Sequence, residues 1–132
     1  MRRIQWLFVA VVVLSFLAGC KKDVDQSLVV RNVAEQYYGY LIQGQFDAYV
    51  DGLYQPDSIP DSYRSQLIDN AKMFMKQQQQ QHQGLTAVEA VSAAVDTEQE
   101  VADVYLRLSF GNGETEQVLV PMVLHQGVWY MR

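Results

Sequence analysis

The stretch ADVYLRLSFGNG, residues 102–113, decides the fold of this chain. Its apolar residues take every second position and alternate with Asp103, Tyr105, Arg107 and Ser109; they are Ala102, Val104, Leu106, Leu108 and Phe110. A period of two predicts a strand with one face buried in a core. Gly111-Asn112-Gly113 predicts a hairpin turn, because glycine and asparagine tolerate positive φ. The stretch therefore predicts one arm of an antiparallel hairpin.

The residues around this strand extend the sheet in both directions. Val118, Val120, Met122 and Leu124 alternate along a second strand, and Gly127 follows a turn into a third strand, Val128–Met131. Pro121 lacks an N–H, so we expect it at an edge or at a position outside the hydrogen-bonded ladder. Leu85–Val95 predicts a further strand with less regular alternation. Together these segments predict a four-stranded antiparallel meander.

The residues before Gly84 have a helical period instead. A first helix is predicted from Gln26 to Gln43 and a short second helix from Phe46 to Leu53. Two prolines, Pro56 and Pro60, predict a loop, after which Asp61 or Ser62 caps a third helix that runs into the glutamines at 77–81. Apolar stripes support the two longer helices: Val30, Val33, Ala34, Tyr37 and Leu41, then Tyr63, Leu67, Ala71, Phe74 and Met75. Helices followed by an antiparallel meander predict an α+β domain.

The first twenty residues have the organisation of a secretory leader. Arg2 and Arg3 precede an apolar run from Ile4 to Phe16, and Leu17-Ala18-Gly19-Cys20 closes it. This tetrapeptide resembles a bacterial lipobox, in which the chain is cut before the cysteine and the sulfur carries lipid. The run is shorter than the roughly 20 residues of a membrane-spanning helix, which favours a cleaved leader over a transmembrane segment.

Cys20 is the only cysteine of the chain, so it has no partner for an intramolecular disulfide. Lipid on its sulfur would protect a thiol that is otherwise open to oxidation. The predicted organisation is a lipoprotein signal peptide at 1–19, the lipidated cysteine and a charged linker at 20–25, and one α+β domain at 26–132. A tether with two or more acyl chains, such as palmitate, anchors a protein stably to a membrane.

The linker also indicates where in the cell envelope the protein is located. Lys21-Lys22-Asp23-Val24-Asp25 resembles the surface-export signal of Bacteroidota lipoproteins, in which a basic residue and then acidic ones follow the lipidated cysteine. Position two after the predicted cut is lysine, so the aspartate of the enteric inner-membrane retention signal is absent. We therefore expect a cell-envelope lipoprotein in the outer membrane. Both the periplasmic leaflet and the surface leaflet are compatible with the sequence.

Charge and length exclude some classes of function. The chain has a formal net charge of −5, and removal of the leader leaves 8 basic and 15 acidic side chains, a charge of −7. An acidic body argues against nucleic acid as a partner. The mature chain of 113 residues is long enough for one small domain with its own core.

Several segments of the predicted domain resemble one fold family. The segments are residues 34–38 (AEQYY), 46–49 (FDAY), 102–106 (ADVYL), 111–116 (GNGETE) and 127–130 (GVWY). They resemble the cystatin-like and nuclear transport factor 2-like cone folds, and most closely the small DUF lipoproteins of Bacteroidota with that fold. The resemblance extends over Gln26–Arg132. It implies N-terminal helices packed on a curved antiparallel sheet of about four strands, with room for a pocket between helix and sheet. The family includes enzymes, binding proteins and interaction modules, so the fold does not select a function.

The residues predict neither a catalytic site nor a metal or cofactor site. The two histidines, His82 in a glutamine tract and His125 at a turn, lack a nucleophile and a carboxylate in a recognisable arrangement. They also lack a metal-ligand spacing. An isomerase of this fold would need a carboxylate and a tyrosine inside an apolar pocket. Tyr37, Tyr105 and Asp103 supply these residue types, but Asp103 and Tyr105 both alternate onto the polar face of their strand, which argues against an inward pair.

Tyrosines are the candidate contact residues, because a tyrosine offers apolar area with a polar end. Tyr37, Tyr38 and Tyr54 are the candidates for a pocket or an interface, and core packing is the alternative. For Tyr37 core packing is favoured, because this residue lies on the apolar stripe. Asp57-Ser58-Ile59 resembles the O-glycosylation sequon of Bacteroidota envelope proteins and makes Ser58 a candidate modification site.

The sequence therefore predicts a lipid-anchored, non-catalytic envelope protein that serves as an interaction or accessory module. Its expected partners are the membrane, through lipid on Cys20, and another envelope protein. The alternative is a binding protein for a small apolar or aromatic ligand held between helix and sheet. An open cavity there would support the alternative, and a fully packed one would exclude it.

Overall fold

The computed structural model describes residues 25–132, so the predicted signal peptide, Cys20 and most of the linker lie outside the described residues. Three helices precede four strands. The helices are α1 (Gln26–Ile42), α2 (Phe46–Asp51) and α3 (Asp61–His82), and the strands are β1 (Leu85–Asp96), β2 (Val101–Phe110), β3 (Thr115–His125) and β4 (Val128–Met131). The predicted α+β order of helices and strands is confirmed.

Helix α1 begins at a side-chain cap. The carboxylate of Asp25, the last residue of the predicted linker, accepts a hydrogen bond of 3.0 Å from the backbone N–H of Ser27. This bond satisfies one of the amide groups that a helix start leaves without an internal partner. Val30, Ala34 and Leu41 form the buried side of the helix.

The N-cap of helix α3 lies one residue before the first of the two caps that the sequence predicted. Pro60 is the N-cap and makes no side-chain capping bond, so Asp61 is already helical, and the prediction of Asp61 or Ser62 as the cap was wrong. Proline serves here because its fixed φ suits the entry of the chain into the helix. No helix within residues 25–132 is both long enough and apolar enough to cross a membrane.

The C-terminal end of α3 is fixed by the hairpin turn of the sheet. Helix α3 includes the glutamine tract, and Gln83 and Gly84 then leave it with φ of 61° and 94°. Asn112 N–H donates to the carbonyl of His82 (3.1 Å), and Gly111 N–H donates to that of Gly84 (2.8 Å). The turn after β2 therefore satisfies carbonyls that the helix end leaves without partners.

The four strands form one antiparallel sheet in the order β1-β2-β3-β4. In the β2–β3 pair, Leu106 lies opposite Val118 and Val104 opposite Val120, without a bulge. Pro121 carries no N–H, and its carbonyl accepts from Arg132 on the β4 side. It lies next to the residues of β3 that pair with β4, residues 122–125.

The core lies between α1 and one face of the sheet. Val30 and Ala34 from α1 contribute to the same buried cluster as Val104, Leu106 and Met122, and none of these five side chains has accessible surface. A side chain without accessible surface touches no void large enough for a water molecule. The centre of the space between helix and sheet is therefore filled by the side chains of the chain itself.

Side chains of α1 close the edge of the sheet at β1. Glu35 accepts a hydrogen bond of 3.0 Å from Ala90 N–H, and Arg31 donates one of 3.3 Å to the Ala90 carbonyl. The two residues lie one helical turn apart, so both reach a single residue of the strand. A register shift between Ala90 and Ser92 accompanies this contact. An edge strand otherwise presents unpaired backbone groups, and at Ala90 a carboxylate and a guanidinium cover them.

The edge at β4 is closed by the segment that follows α2. Met131 N–H donates to the Gly52 carbonyl (2.8 Å), and Tyr54 N–H donates to the Met131 carbonyl (2.6 Å). The hydroxyl of Tyr37 donates to the carbonyl of Trp129 at 2.6 Å. The Met131 N–H and the carbonyls of Met131 and Trp129 are thus paired on the side of β4 that faces away from β3.

We predict that Gly52→Ala destabilises the domain and that Gly39→Ala does not. A Cβ at position 52 would lie 2.6 Å from the ring of Tyr37, whereas a Cβ at position 39 meets nothing within 4 Å. Overpacking costs about 1–3 kcal/mol, and an alanine within a helix gains about 0.5–1 kcal/mol over glycine. Urea unfolding of both variants measures the two free energies. Equal values for the two variants would contradict this packing.

Candidate functional site

A cleft of about 270 Å³ lies at the rim of the sheet, and we call it the rim cleft. Its walls come from the end of α2, the loop before α3, the start of α3 and the β3–β4 turn, with the lining residues Val50, Asp51, Leu53, Tyr54, Gln55, Asp57, Ser58, Ile59, Arg64, His125 and Tyr130. The backbone bonds of Gly52 and Tyr54 to Met131 hold the loop against β4. The cleft is therefore built from segments distant in sequence.

One wall of the rim cleft is aromatic. The ring of Tyr54 lies 5.5 Å from that of His125 in an edge-on arrangement and 6.1 Å from that of Tyr130 in a tilted one. These are the distances and orientations at which aromatic pairs attract each other. Such a wall offers a rigid apolar surface to the planar or ring-shaped part of a ligand or partner.

An ion pair also lines the rim cleft. The guanidinium of Arg64 donates a hydrogen bond to Asp51 and lies 3.5 Å from the carbonyl of Asp47. The hydrogen bond to Asp51 and, after it, the charge of that carboxylate raise the pKa of Arg64 above its ordinary value. Because both partners are exposed, the pair contributes little to stability, and its effect is to order the polar side of the cleft.

The cleft brings together residue types that occur in hydrolases but not the contacts of a hydrolase. Asp57, Ser58 and His125 all line it. Among the hydrogen bonds of residues 25–132, none joins Ser58 to His125 or His125 to Asp57, whereas a nucleophile and its base need such contacts. Within the same residues, no group of three or more metal-binding side chains converges.

The candidate tyrosines lie in different places. Tyr54 and Ser58 line the rim cleft. Tyr37 packs its ring against Gly52 and the core cluster and binds the Trp129 carbonyl, so it supports the segment behind the cleft. Tyr38 is half-buried and meets Tyr49 edge to face at 6.2 Å.

Helix α3 borders a second depression, which we call the helical groove. It has a volume of about 270 Å³ and is lined mainly by apolar side chains, namely Leu41, Tyr49, Leu53, Leu67, Asn70, Ala71 and Phe74. Ala71 is the buried residue of α3, while Tyr63, Met73 and Phe74 are exposed. Two of the five residues of the apolar stripe that predicted α3, Tyr63 and Phe74, therefore lie at the surface and not in the core.

Sequence reasoning did not identify Arg31, Glu35, Arg64 or His125 as structurally important. The i, i+4 spacing of Arg31 and Glu35 was a usable signal, since it places both side chains on one helix face. No local sequence pattern indicates the pairing of Asp51 with Arg64 or of Tyr54 with His125. The partners are distant in the sequence, and only the folded backbone brings them into contact.

Comparison with known proteins supports the fold. No protein-family model matches the sequence, and no curated protein matches it. Among solved structures, the domain is similar to a Campylobacter jejuni protein provisionally named an NTF2-like transpeptidase, with a TM-score of 0.61 over 76% of this chain and 94% of that chain. The identity is 10%, so the likeness concerns the fold alone.

The domain thus has an NTF2-like α+β fold, with helices packed against an open four-stranded antiparallel sheet. This confirms the cone fold that the sequence predicted. The fold is compatible with a ligand-binding or accessory module, and the name of the Campylobacter protein does not establish catalysis in this chain.

We predict that Tyr38 contributes a pH-dependent part of the stability. Burial, and after it the neighbouring Tyr49, raises the pKa of Tyr38 to about 12. The unfolded chain has a tyrosine pKa of about 10, so the folded state holds this proton more tightly. The stabilisation is complete below pH 10 and is lost as the pH rises towards 12, by about 2–3 kcal/mol.

Urea unfolding at pH 9 and pH 12 measures this contribution. Tyr38→Phe should lose less stability between the two pH values than the wild type does. Tyr63→Phe, which removes a hydroxyl from an exposed side chain, is the matched control and should follow the wild type. An equal loss in Tyr38→Phe and in the wild type would show that Tyr38 ionises alike in both states.

Proposed function

We propose that this chain is a lipid-anchored protein of the cell envelope whose NTF2-like domain is a non-catalytic interaction or accessory module. The observation that carries the proposal is the position of Cys20, the only cysteine, directly after an apolar run and two small residues. The packed interior and the surface clefts of the domain support the role of a docking module.

The anchor would hold the domain close to the membrane. Asp25 already caps α1, so the free tether runs from Cys20 to the start of the helix. Five residue steps span at most about 16–18 Å. The domain would therefore work within reach of the bilayer surface or of a protein embedded in it.

The proposed location is the outer membrane, in either its periplasmic or its surface leaflet. Lys21 at the second mature position and the following charged residues support release from the inner membrane. The formal charge of −7 on the mature chain favours a domain that stays off anionic lipid head groups and uses lipid on Cys20 for attachment.

The non-catalytic role is supported by the rim cleft. Its Ser58, His125 and Asp57 are not joined by hydrogen bonds, and Arg64 is already paired with Asp51. An aromatic wall beside an ordered ion pair suits recognition, because such side chains dominate binding energy at protein interfaces. We propose the rim cleft as the contact site for an envelope partner.

The second candidate function is binding of a small aromatic ligand, and the rim cleft is the observation that favours it. The inner space between α1 and the sheet is filled at Leu106 and Met122, so a ligand there would have to displace side chains. The rim cleft, of about 270 Å³, lies just below the usual size of small-molecule sites. A ligand with one ring and one polar group would fit its two walls.

The anchor proposal predicts the chemistry of the mature N-terminus. Mass spectrometry of the protein from its own envelope should find a chain that begins at Cys20 and carries acyl groups. Cys20→Ser should abolish the lipid and release the domain from the membrane fraction. An unmodified Cys20, or an intact Met1 in the mature protein, would refute the anchor.

The same spectra test Ser58, whose peptide should carry added sugar mass if the sequon is used.

The rim cleft proposal predicts an effect of Tyr54. Indole, as a probe at about 1 mM, should shift the NMR signals of Tyr54 and His125, since affinities near this value are typical of weak single-ring ligands. Tyr54→Ala should weaken binding roughly tenfold, because it removes half of the aromatic wall. Tyr63→Ala, outside the cleft, is the control. Shifts confined to Leu106 and Met122 would instead place the ligand between helix and sheet.

A further inference from the structure

The rim cleft has a surplus of negative charge. The carboxylates of Asp51 and Asp57 line it together with one guanidinium, that of Arg64. Arg64 is bound to Asp51 and lies against the carbonyl of Asp47. Its pKa is raised by the hydrogen bond to Asp51, by the charge of that carboxylate and, after these, by the charges of Asp47 and Asp61. Three carboxylates therefore act on this one guanidinium, and its positive charge is compensated.

Asp57 is the carboxylate that this arrangement leaves available to a ligand. It is exposed in the loop before α3, and within residues 25–132 no salt bridge or hydrogen bond reaches its side chain. With Asp51 and Arg64 compensating each other and His125 neutral, Asp57 gives the lining a formal charge of −1. The electrostatics of the cleft therefore favour a cation over an anion.

The aromatic wall favours the same kind of group. Tyr54 and Tyr130 are half-buried, so their rings are held in place while part of each ring stays accessible. The face of an aromatic ring carries negative partial charge and attracts a cation placed over it. An arginine guanidinium is planar, stacks on aromatic rings and binds a carboxylate through two parallel N–H groups. It therefore matches both the ring of Tyr54 and the carboxylate of Asp57.

The size of the cleft indicates where such a group comes from. The volume of about 270 Å³ lies below the roughly 300–1,000 Å³ of small-molecule sites, so it has room for one long side chain. Arginine is enriched at protein interfaces and among the residues that dominate their binding energy. The chain as a whole is acidic, with a formal net charge of −5, and an acidic surface is complementary to a basic partner.

We propose that the rim cleft receives an arginine side chain of a partner protein, whose guanidinium lies over the ring of Tyr54 and binds the carboxylate of Asp57. This inference rests on the proposed function, because it takes the rim cleft as the contact site and adds the chemical group that enters it. The Arg64–Asp51 pair stays intact when the partner binds and forms the border of the site.

Two tripeptides that differ only in charge test the inference. One has arginine between two glycines, and the other has citrulline, which has the shape of arginine without its charge; both are acetylated and amidated. They are titrated in low-salt buffer into the isotope-labelled full chain in mild detergent, and the NMR signals of Tyr54 and His125 are followed. The arginine peptide should bind roughly tenfold more tightly, because it gains a cation–π contact and a charge-assisted hydrogen bond.

Variants of the two contact residues assign this advantage. Asp57→Asn should lower it from about tenfold to about threefold, because an exposed charge pair is lost. Asp57→Glu keeps the charge and should keep most of the advantage. Tyr54→Leu keeps apolar bulk but removes the ring, and it should also lower the advantage to about threefold. Asp69→Asn is the matched control: Asp69 is exposed on α3 outside the cleft, and its loss should change nothing.

Each contrary result overturns the inference. Equal affinities for the arginine and citrulline peptides would show that the cleft does not recognise charge. Equal effects of Asp57→Asn and Asp69→Asn would show that only the overall negative charge of the domain attracts the peptide. Tighter binding of a third peptide, with glutamate between the glycines, would show that Arg64 leaves Asp51 to bind an anion.

The indole titration separates this inference from the proposed function. If indole shifts the signals of Tyr54 and His125 but the arginine peptide has no advantage, the rim cleft is a binding site without a preference for cations, and the inference alone is wrong. If neither indole nor any of the peptides shifts these signals, the contact role of the rim cleft is wrong as well.

Discussion

The structure depends on the burial of one apolar core between α1 and one face of the sheet. Leu106 and Val104 of β2 belong to the same buried cluster as Val30 and Ala34 of α1, and all four are without accessible surface. Burial of apolar area stabilises the fold by about 25 cal/mol per Å² removed from water. The filled interior also moves any binding function to the rim.

A second constraint follows from this arrangement, because a sheet of four strands has edges whose backbone groups need partners. Helix α1 lies close enough to β1 for Arg31 and Glu35 to form hydrogen bonds with the backbone of Ala90. The loop after α2 forms hydrogen bonds with the backbone of β4, and this contact brings Tyr54 beside His125. The rim cleft is thus a consequence of edge closure.

Much of the fold could be predicted because its signals are local. The alternation at 102–110 and the glycines at 111 and 113 lie within a few residues of each other, and the structure has strand β2 and its turn at these positions. The start of α3 was misplaced by one residue, because proline at the cap has no side-chain signal. The stripe of α3 predicted a buried face, yet two of its residues, Tyr63 and Phe74, are exposed. Periodicity reports that a face is apolar but not whether another element covers it.

The sequence by itself determined the order of the elements, the alternation that buries one sheet face, the hairpin turns and the lone cysteine with the lipobox-like residues before it. These depend on neighbouring residues, which the chain keeps together whether folded or not. The tertiary structure alone decided that α1 fills the inner space and that Tyr54, His125 and Arg64 share a cleft. These features depend on contacts between residues that are ten or more positions apart, and such contacts exist only after the backbone has closed its loops and buried its core.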